Sequence, residues 1–299
     1  MYVCPTNPHG PILPVRPIMT VDLQFAPVFP RHAIEHCAAS VAFSPSVPNK
    51  AFERLIAAAA PRLVSAGYLF QPTLAIGFTL GPDGKMASMD PPAGGGPQVY
   101  SLPDQSAALT ISTDGLAWAT SSYVRWQPFV GAVEKHVLPI LREFINTVSI
   151  VAVKLEYWDR FLWPGTWNDF DVSKLLRAGS TFVAQEAATR TKQWHSHSGW
   201  FDKEGSFRRL TNVNVDLAEI IFDSTIASRP SVGIYSAMTD QANVPEYGKN
   251  DISSLNEGFV IDRLEHQHLA LKDVLGHIIT DEMATRIGLN PRKSQNASA

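Results

Sequence analysis

The sequence predicts an α+β protein in which antiparallel sheets are covered by helices. Three observations lead there. Short β-rich runs at 98–102, 107–112 and 116–121 follow one another closely, with Asp114-Gly115 as the tightest hairpin signal in the chain. Strands joined by such short turns pair antiparallel, because a parallel pair needs a long crossover. Helical periodicity flanks these runs instead of alternating with every strand, which is the α+β pattern. Finally, residues 123–163 join one long amphipathic helix to one long apolar strand, and the rest of the chain is organised around them.

Taken in order, residues 1–30 hold seven prolines and read as an extended arm. Residues 33–43 form a strand, and 44–49 a turn ending in Asn49 as a helix cap. Residues 51–65 form a helix with Phe52, Leu55, Ile56 and Leu63 on one side, stopped by Gly67. A strand at 74–80 and a turn at 81–84 follow. The loop at 90–97 lacks the Gly-Lys-Ser or Gly-Lys-Thr of a phosphate cradle.

In the central helix, Trp126, Phe129, Val130, Val133, Val137, Ile140, Leu141 and Phe144 recur at steps of three and four. Pro128 is tolerated in the first turn, whereas Pro139 should kink the helix. The strand at 148–158 is rich in β-branched and aromatic residues, with Pro164-Gly165 beyond it. Further on come a short helix at 170–176 opened by Asp171 or Ser173, and one or two strands within 183–200. An alternating strand at 207–221, a strand at 231–238 and a polar loop at 239–254 follow. A final helix runs from Leu255 or Phe259 to Ile287, with Gly288 as its cap and Pro291 ending it. The expected organisation is an arm (1–30), two α+β units (31–165 and 166–290) and a disordered tail (291–299). The two units can be laid out as copies of one strand–helix–sheet–helix plan, without a matching repeat in the sequence.

Composition bounds the function. Hydrophobic residues make up 45% and charged residues 18%, which fits a globular protein with a sizeable core. A net charge of −3 argues against an obligate electrostatic grip on nucleic acid. Cys4 and Cys37 provide neither a disulfide framework nor zinc-finger spacing. No secretory leader and no membrane-length apolar run are visible, so a soluble cytoplasmic protein is expected.

Candidate sites are few. Trp126, Tyr157, Trp158 and His268 could line an aromatic ligand pocket. His268 falls on the apolar face of the last helix with Leu264, Leu271, Leu275 and Ile278. Strand alternation puts Glu156 with Lys154 and Trp158 on one face and Leu155 with Tyr157 on the other, so Glu156 should meet water or a basic partner. His195 and His197 would stand about 7 Å apart on one side of a strand. With Asp202 they form a candidate metal set, and His266, Asp273 and His277 share the polar face of the last helix. There is no Gly-x-Ser-x-Gly elbow and no dinucleotide or kinase signature, and Cys37 sits in a core strand as an inert thiol. An enzyme is therefore not indicated, and no cofactor is implied.

Tyr123-x-x-Trp126-x-x-Phe129, Leu155-x-Tyr157-x-x-Arg160 and Thr280-Asp281-Glu282 together resemble a sporadically distributed, uncharacterised bacterial family. The resemblance covers about residues 30 to 290. This chain departs from the pattern at Glu156, where the family has Arg, at Asp159, where it has Asn, and at Leu275, where it has Phe. The family's scattered distribution implies mobile or defence-related loci. The resulting expectation is an accessory protein that binds a macromolecular partner, a protein in the first instance, with self-association left open. The alternatives are a metal-dependent hydrolase using His195 and His197, and a small-ligand protein with an aromatic pocket.

Overall fold

The structure, a computed structural model, describes residues 23–72, 77–80, 86–89, 96–190, 192–220, 228–242 and 256–289. The expected arm up to residue 22, the turn at 81–84, most of the loops at 90–97 and 239–254, and the tail from 290 lie outside them.

Ten strands form one antiparallel sheet. Its centre is the pair β2 (Ile34–Ser44) and β9 (Ser149–Leu162). Outward from β2 come β8 (Gly115–Thr120), β7 (Ala107–Ser112), β6 (Gln98–Ser101) and β3 (Leu69–Gln71). Outward from β9 come β12 (Arg229–Gln241), β11 (Phe207–Ile220) and β10 (Trp194–Glu204). The two-residue β1 (Ala26–Pro27) also pairs with β9, and β4 (Gly77–Leu80) and β5 (Met86–Met89) form a separate hairpin.

The β6–β7–β8 and β10–β11–β12 meanders flank the β2–β9 pair in mirrored order, β3 extends the first of them, and both central strands fall within residues 31–165. The helices do not follow that symmetry. The seventeen-residue α1 (Asn49–Ser65) precedes the first meander. Between β9 and β10 the described residues form a 3-10 turn (Val172–Lys174) and the four-residue α4 (Gln185–Ala188). One hydrophobic cluster runs through residues of both halves.

The central helix is divided as its proline requires. It becomes α2 (Trp126–His136) and α3 (Leu138–Ile145), with Pro139 in the first turn of α3. The last helix is also divided, into α5 (Glu257–Ile278) and α6 (Asp281–Arg286). The reason is tertiary. Ile279 bridges to Leu176, Thr280 N–H donates to the Leu175 carbonyl at 2.8 Å, and Arg177 N–H donates to that of Ile278 at 2.8 Å. A distant loop thus pulls the chain out of helix. Thr280 then caps α6 by accepting from Met283 N–H, so the Thr-Asp-Glu segment is a helix start. Asn49 is not a cap. Pro48 holds that position without a side-chain bond.

Helices cover one face of the sheet: α1 packs on α3, α3 on α5, and α5 on β9 and β12. Along β9 the inward residues Ile150, Val153, Leu155, Tyr157, Asp159 and Phe161 are buried. Lys154, Glu156, Trp158 and Arg160 point to the other face, as period-two alternation requires. A buried ion network fastens α5. Asp240 accepts from Arg209 Nε at 2.7 Å and Nη2 at 3.0 Å, and from Arg263 Nε at 3.0 Å.

The β7–β8 hairpin corrects the turn expected at Asp114-Gly115. Ser112 pairs with Gly115, so Thr113 and Asp114 make the turn. Gly115 is needed for close approach instead, since a Cβ there would lie 2.3 Å from the Val41 carbonyl oxygen. Gly131, exposed within α2, would place a Cβ in open space. Gly115→Ala should therefore destabilise the protein by about 1–3 kcal/mol, and Gly131→Ala should stabilise it by about 0.5–1 kcal/mol. Chemical denaturation of the two variants checks the pair, and equal shifts of one sign would contradict this packing of β8 on β2.

Candidate functional site

The sheet sorts the candidate residues onto two sides. Tyr157 and His268 meet on the helix side, where the Tyr157 hydroxyl and His268 Nδ1 lie 2.8 Å apart. The His268 ring stacks on Trp126 with centroids 4.1 Å apart and planes 3° from parallel. Trp126 also stacks on Phe129, and its Nε1–H donates to the Glu265 carboxylate. Trp126 is thus both packing anchor and wall.

Trp158 lies on the opposite face beside Tyr235 and His36, so it takes no part in that pocket. Glu156 lies there too, accepting from the Tyr235 hydroxyl at 2.5 Å and paired with Lys154, so its basic partner is in its own strand. Behind it Arg160 joins Glu35 at 3.0 Å and Asp216 at 3.5 Å.

The metal set does not assemble. His195 and His197 sit exposed on β10 opposite Asp216 and Asn214, on one face. Asp202 is an odd number of residues away, so it faces the other side, and it accepts from Trp200 Nε1–H at 2.7 Å. On α5, His277 Nδ1 lies 2.9 Å from the Asp273 carbonyl oxygen. Among the described residues no group of three His, Cys, Asp or Glu side chains converges to hold a metal.

Around Tyr157 and His268 lies a cavity of about 240 Å³. The segment entering β2 supplies His32 and Ala33, and the approach to α2 supplies Tyr123, Arg125 and Trp126. Asp159 comes from β9, Ser236 from β12, Lys272 from α5, and the roof from the segment after α6. Tyr123 stands edge-on to both Tyr157 and His32. A β-bulge places Glu35 as an extra residue across from Asp159, turning Glu35 toward Arg160 while Ile34 still faces the cavity.

Asp159 is the unusual member. It is 3% exposed, and no described residue donates a hydrogen bond to it. Burial, then the Glu35 carboxylate, pushes its carboxyl up to about 7. Burial, then Lys272, lowers His268 to about 4, so its imidazole is neutral at neutral pH. His32 is lowered by burial and by Arg125, and Tyr157 is raised well above the usual phenol range by burial. The Cys37 thiol beside Tyr157 is also raised, chiefly by burial, which leaves it unreactive. The buried part of the cavity therefore holds neutral donors and acceptors around one carboxyl poised between its two forms, with the cations Arg125 and Lys272 on its exposed side.

Asp159, Tyr123, His32 and Ser236 were not among the expected site residues. Asp159 carried a readable signal, as a charged residue two positions from both Tyr157 and Phe161 on the buried side of an alternating strand. Comparison with known proteins adds no identity: no protein-family model matches the chain, and no curated protein matches it.

Proton linkage gives Asp159 and His268 opposite signs. Folded Asp159 keeps its proton to about pH 7 against 3.8 unfolded, so its contribution to stability falls as pH rises through that window. Folded His268 stays neutral to about pH 4 against 6.5 unfolded, so its contribution falls as pH drops through that window. The two partly cancel in wild type. Asp159→Asn should remove a slope of up to about 1.4 kcal/mol per pH unit and expose acid destabilisation. His268→Gln should leave the opposite trend, the loss of stability with rising pH set by Asp159, and its change from wild type should be the smaller of the two because the half-buried His268 ring is screened by solvent. Urea unfolding across this pH range reads both slopes, and slopes equal to wild type in both variants would mean that neither group is desolvated.

Proposed function

We propose that the protein binds a small molecule in the cavity between α2, α5 and the centre of the sheet. The observation carrying this reading is Asp159. It lines the cavity without a donor among the described residues, so a ligand that supplies one gains a hydrogen bond in a desolvated setting. The surroundings support it: aromatic and aliphatic walls with a few convergent polar groups are the usual make-up of a ligand site. The volume, below the roughly 300–1,000 Å³ of drug-sized sites, favours a metabolite-sized ligand. The unreactive Cys37 gives no thiol nucleophile beside the cavity.

A fragment screen read by tryptophan fluorescence and ligand-observed NMR tests the reading. Hits should perturb Trp126, and Ala33→Leu, which fills the cavity, should remove them while the protein stays folded by circular dichroism. Hits that survive Ala33→Leu in the folded variant would locate binding elsewhere.

A second reading is favoured by the outer strand β10. Its exposed Phe201, His195 and His197 share the sheet face opposite the cavity, with the Arg208 guanidinium 4.8 Å from the Phe201 ring centroid. Exposed aromatics beside Arg are the composition of protein-binding surfaces. A protein partner on this face is compatible with a ligand in the cavity. Phe201→Asp should abolish capture of such a partner from lysate without altering ligand-induced fluorescence, and capture unchanged by Phe201→Asp would exclude this face.

A further inference from the structure

The cavity has a polarity that narrows the ligand. At its floor stands Asp159, with no donor and no cation in contact among the described residues. The nearest carboxylate, Glu35, is committed to Arg160 at 3.0 Å. The other titratable groups around the floor are Tyr123 and Tyr157, the Cys37 thiol, and the His32 and His268 rings. At the mouth stand Arg125 and Lys272, both exposed. Arg125 donates only to the backbone carbonyls of Arg31 and Val124, at 3.3 and 3.4 Å, and neither cation pairs with a carboxylate among the described residues.

A neutral hydroxyl or amide would give the ionised form of Asp159 a donor but no counter-charge. An ammonium supplies both. A simple amine, however, must pass two cations that repel it. A ligand with an acidic group at its other end converts that repulsion into attraction. We infer that the cavity takes a small zwitterion, with its ammonium on Asp159 and its acidic group between Arg125 and Lys272. At about 240 Å³ the space lies below the roughly 300–1,000 Å³ of drug-sized sites, so such a ligand is metabolite-sized. This inference rests on the ligand-site reading above.

A matched series tests it by calorimetric titration of the full chain near neutral pH: 5-aminopentanoate, pentylamine and pentanoate. The zwitterion should bind at least about ten-fold more tightly than either single-ended probe. Asp159→Asn should weaken it by a similar factor and leave pentanoate unchanged. The surface double variant Arg125→Gln/Lys272→Gln should weaken the zwitterion and not pentylamine, which keeps the test open even if Asp159→Asn folds poorly. Pentylamine or pentanoate binding as tightly as 5-aminopentanoate would overturn the zwitterion, as would no binding by all three up to about 10 mM. Neither outcome touches the ligand-site reading, which is judged by the fragment hits and their loss in Ala33→Leu.

Discussion

Burying a carboxyl inside a sheet-and-helix layer is tolerable only when donors, a counter-charge or a proton come with it. Among the described residues two are buried, on the same side of one sheet, and they are treated differently. Asp240 receives three hydrogen bonds from two guanidiniums, with Glu204 beside both arginines. That network fixes α5 across β11 and β12. Asp159, nearer the centre, receives none from the described residues and keeps a proton to about neutral pH. A chain able to surround one carboxylate completely leaves the other facing a cavity, and the functional reading depends on that contrast.

The contrast follows from the geometry of β9. Strict alternation sends Tyr157 and Asp159 under the helices and Glu156, Trp158 and Arg160 to the far face. The bulge at Glu35 then lets β2 stay paired while placing a second carboxylate close enough to disfavour ionisation of Asp159. One strand therefore carries the floor of a cavity on one side and a compensated ion cluster on the other.

Much of this was legible in the sequence. The tight succession of short strands identified an antiparallel sheet, and β9 showed its alternation residue by residue. The same arithmetic separates Asp202 from His195 and His197, and Trp158 from Tyr157. Asp159 was visible by that rule as a charged residue on an apolar face. His32 and Ser236 were not, because they reach the cavity from the segment entering β2 and from β12, and no local periodicity reports which distant segments become neighbours. The break in the last helix was hidden for the same reason. Residues 257–287 contain no proline, and the helix ends where Leu175 and Arg177 take over the hydrogen bonds of Ile278 and Thr280.

The walls of the cavity differ in how firmly they are held. α5 is tied down by the Asp240 network, by Gln267 Nε2–H donating to the Val153 carbonyl at 2.9 Å, and by the Tyr157–His268 contact. Lifting it would expose an ion cluster and break buried hydrogen bonds together. α2 is held by Trp126, clamped between Phe129 and His268. The segment after α6 is held by Ile287 N–H to the Met283 carbonyl at 3.1 Å, Gly288 N–H to that of Thr285 at 3.1 Å and Leu289 N–H to that of Ala284 at 2.8 Å, all local to its own turn. Gly288 there sits at φ +75°, a conformation that glycine adopts without strain. Residues 287–289 thus close one side of the cavity through hydrogen bonds local to their own turn, while the floor, set by the central strands, keeps Asp159 in place.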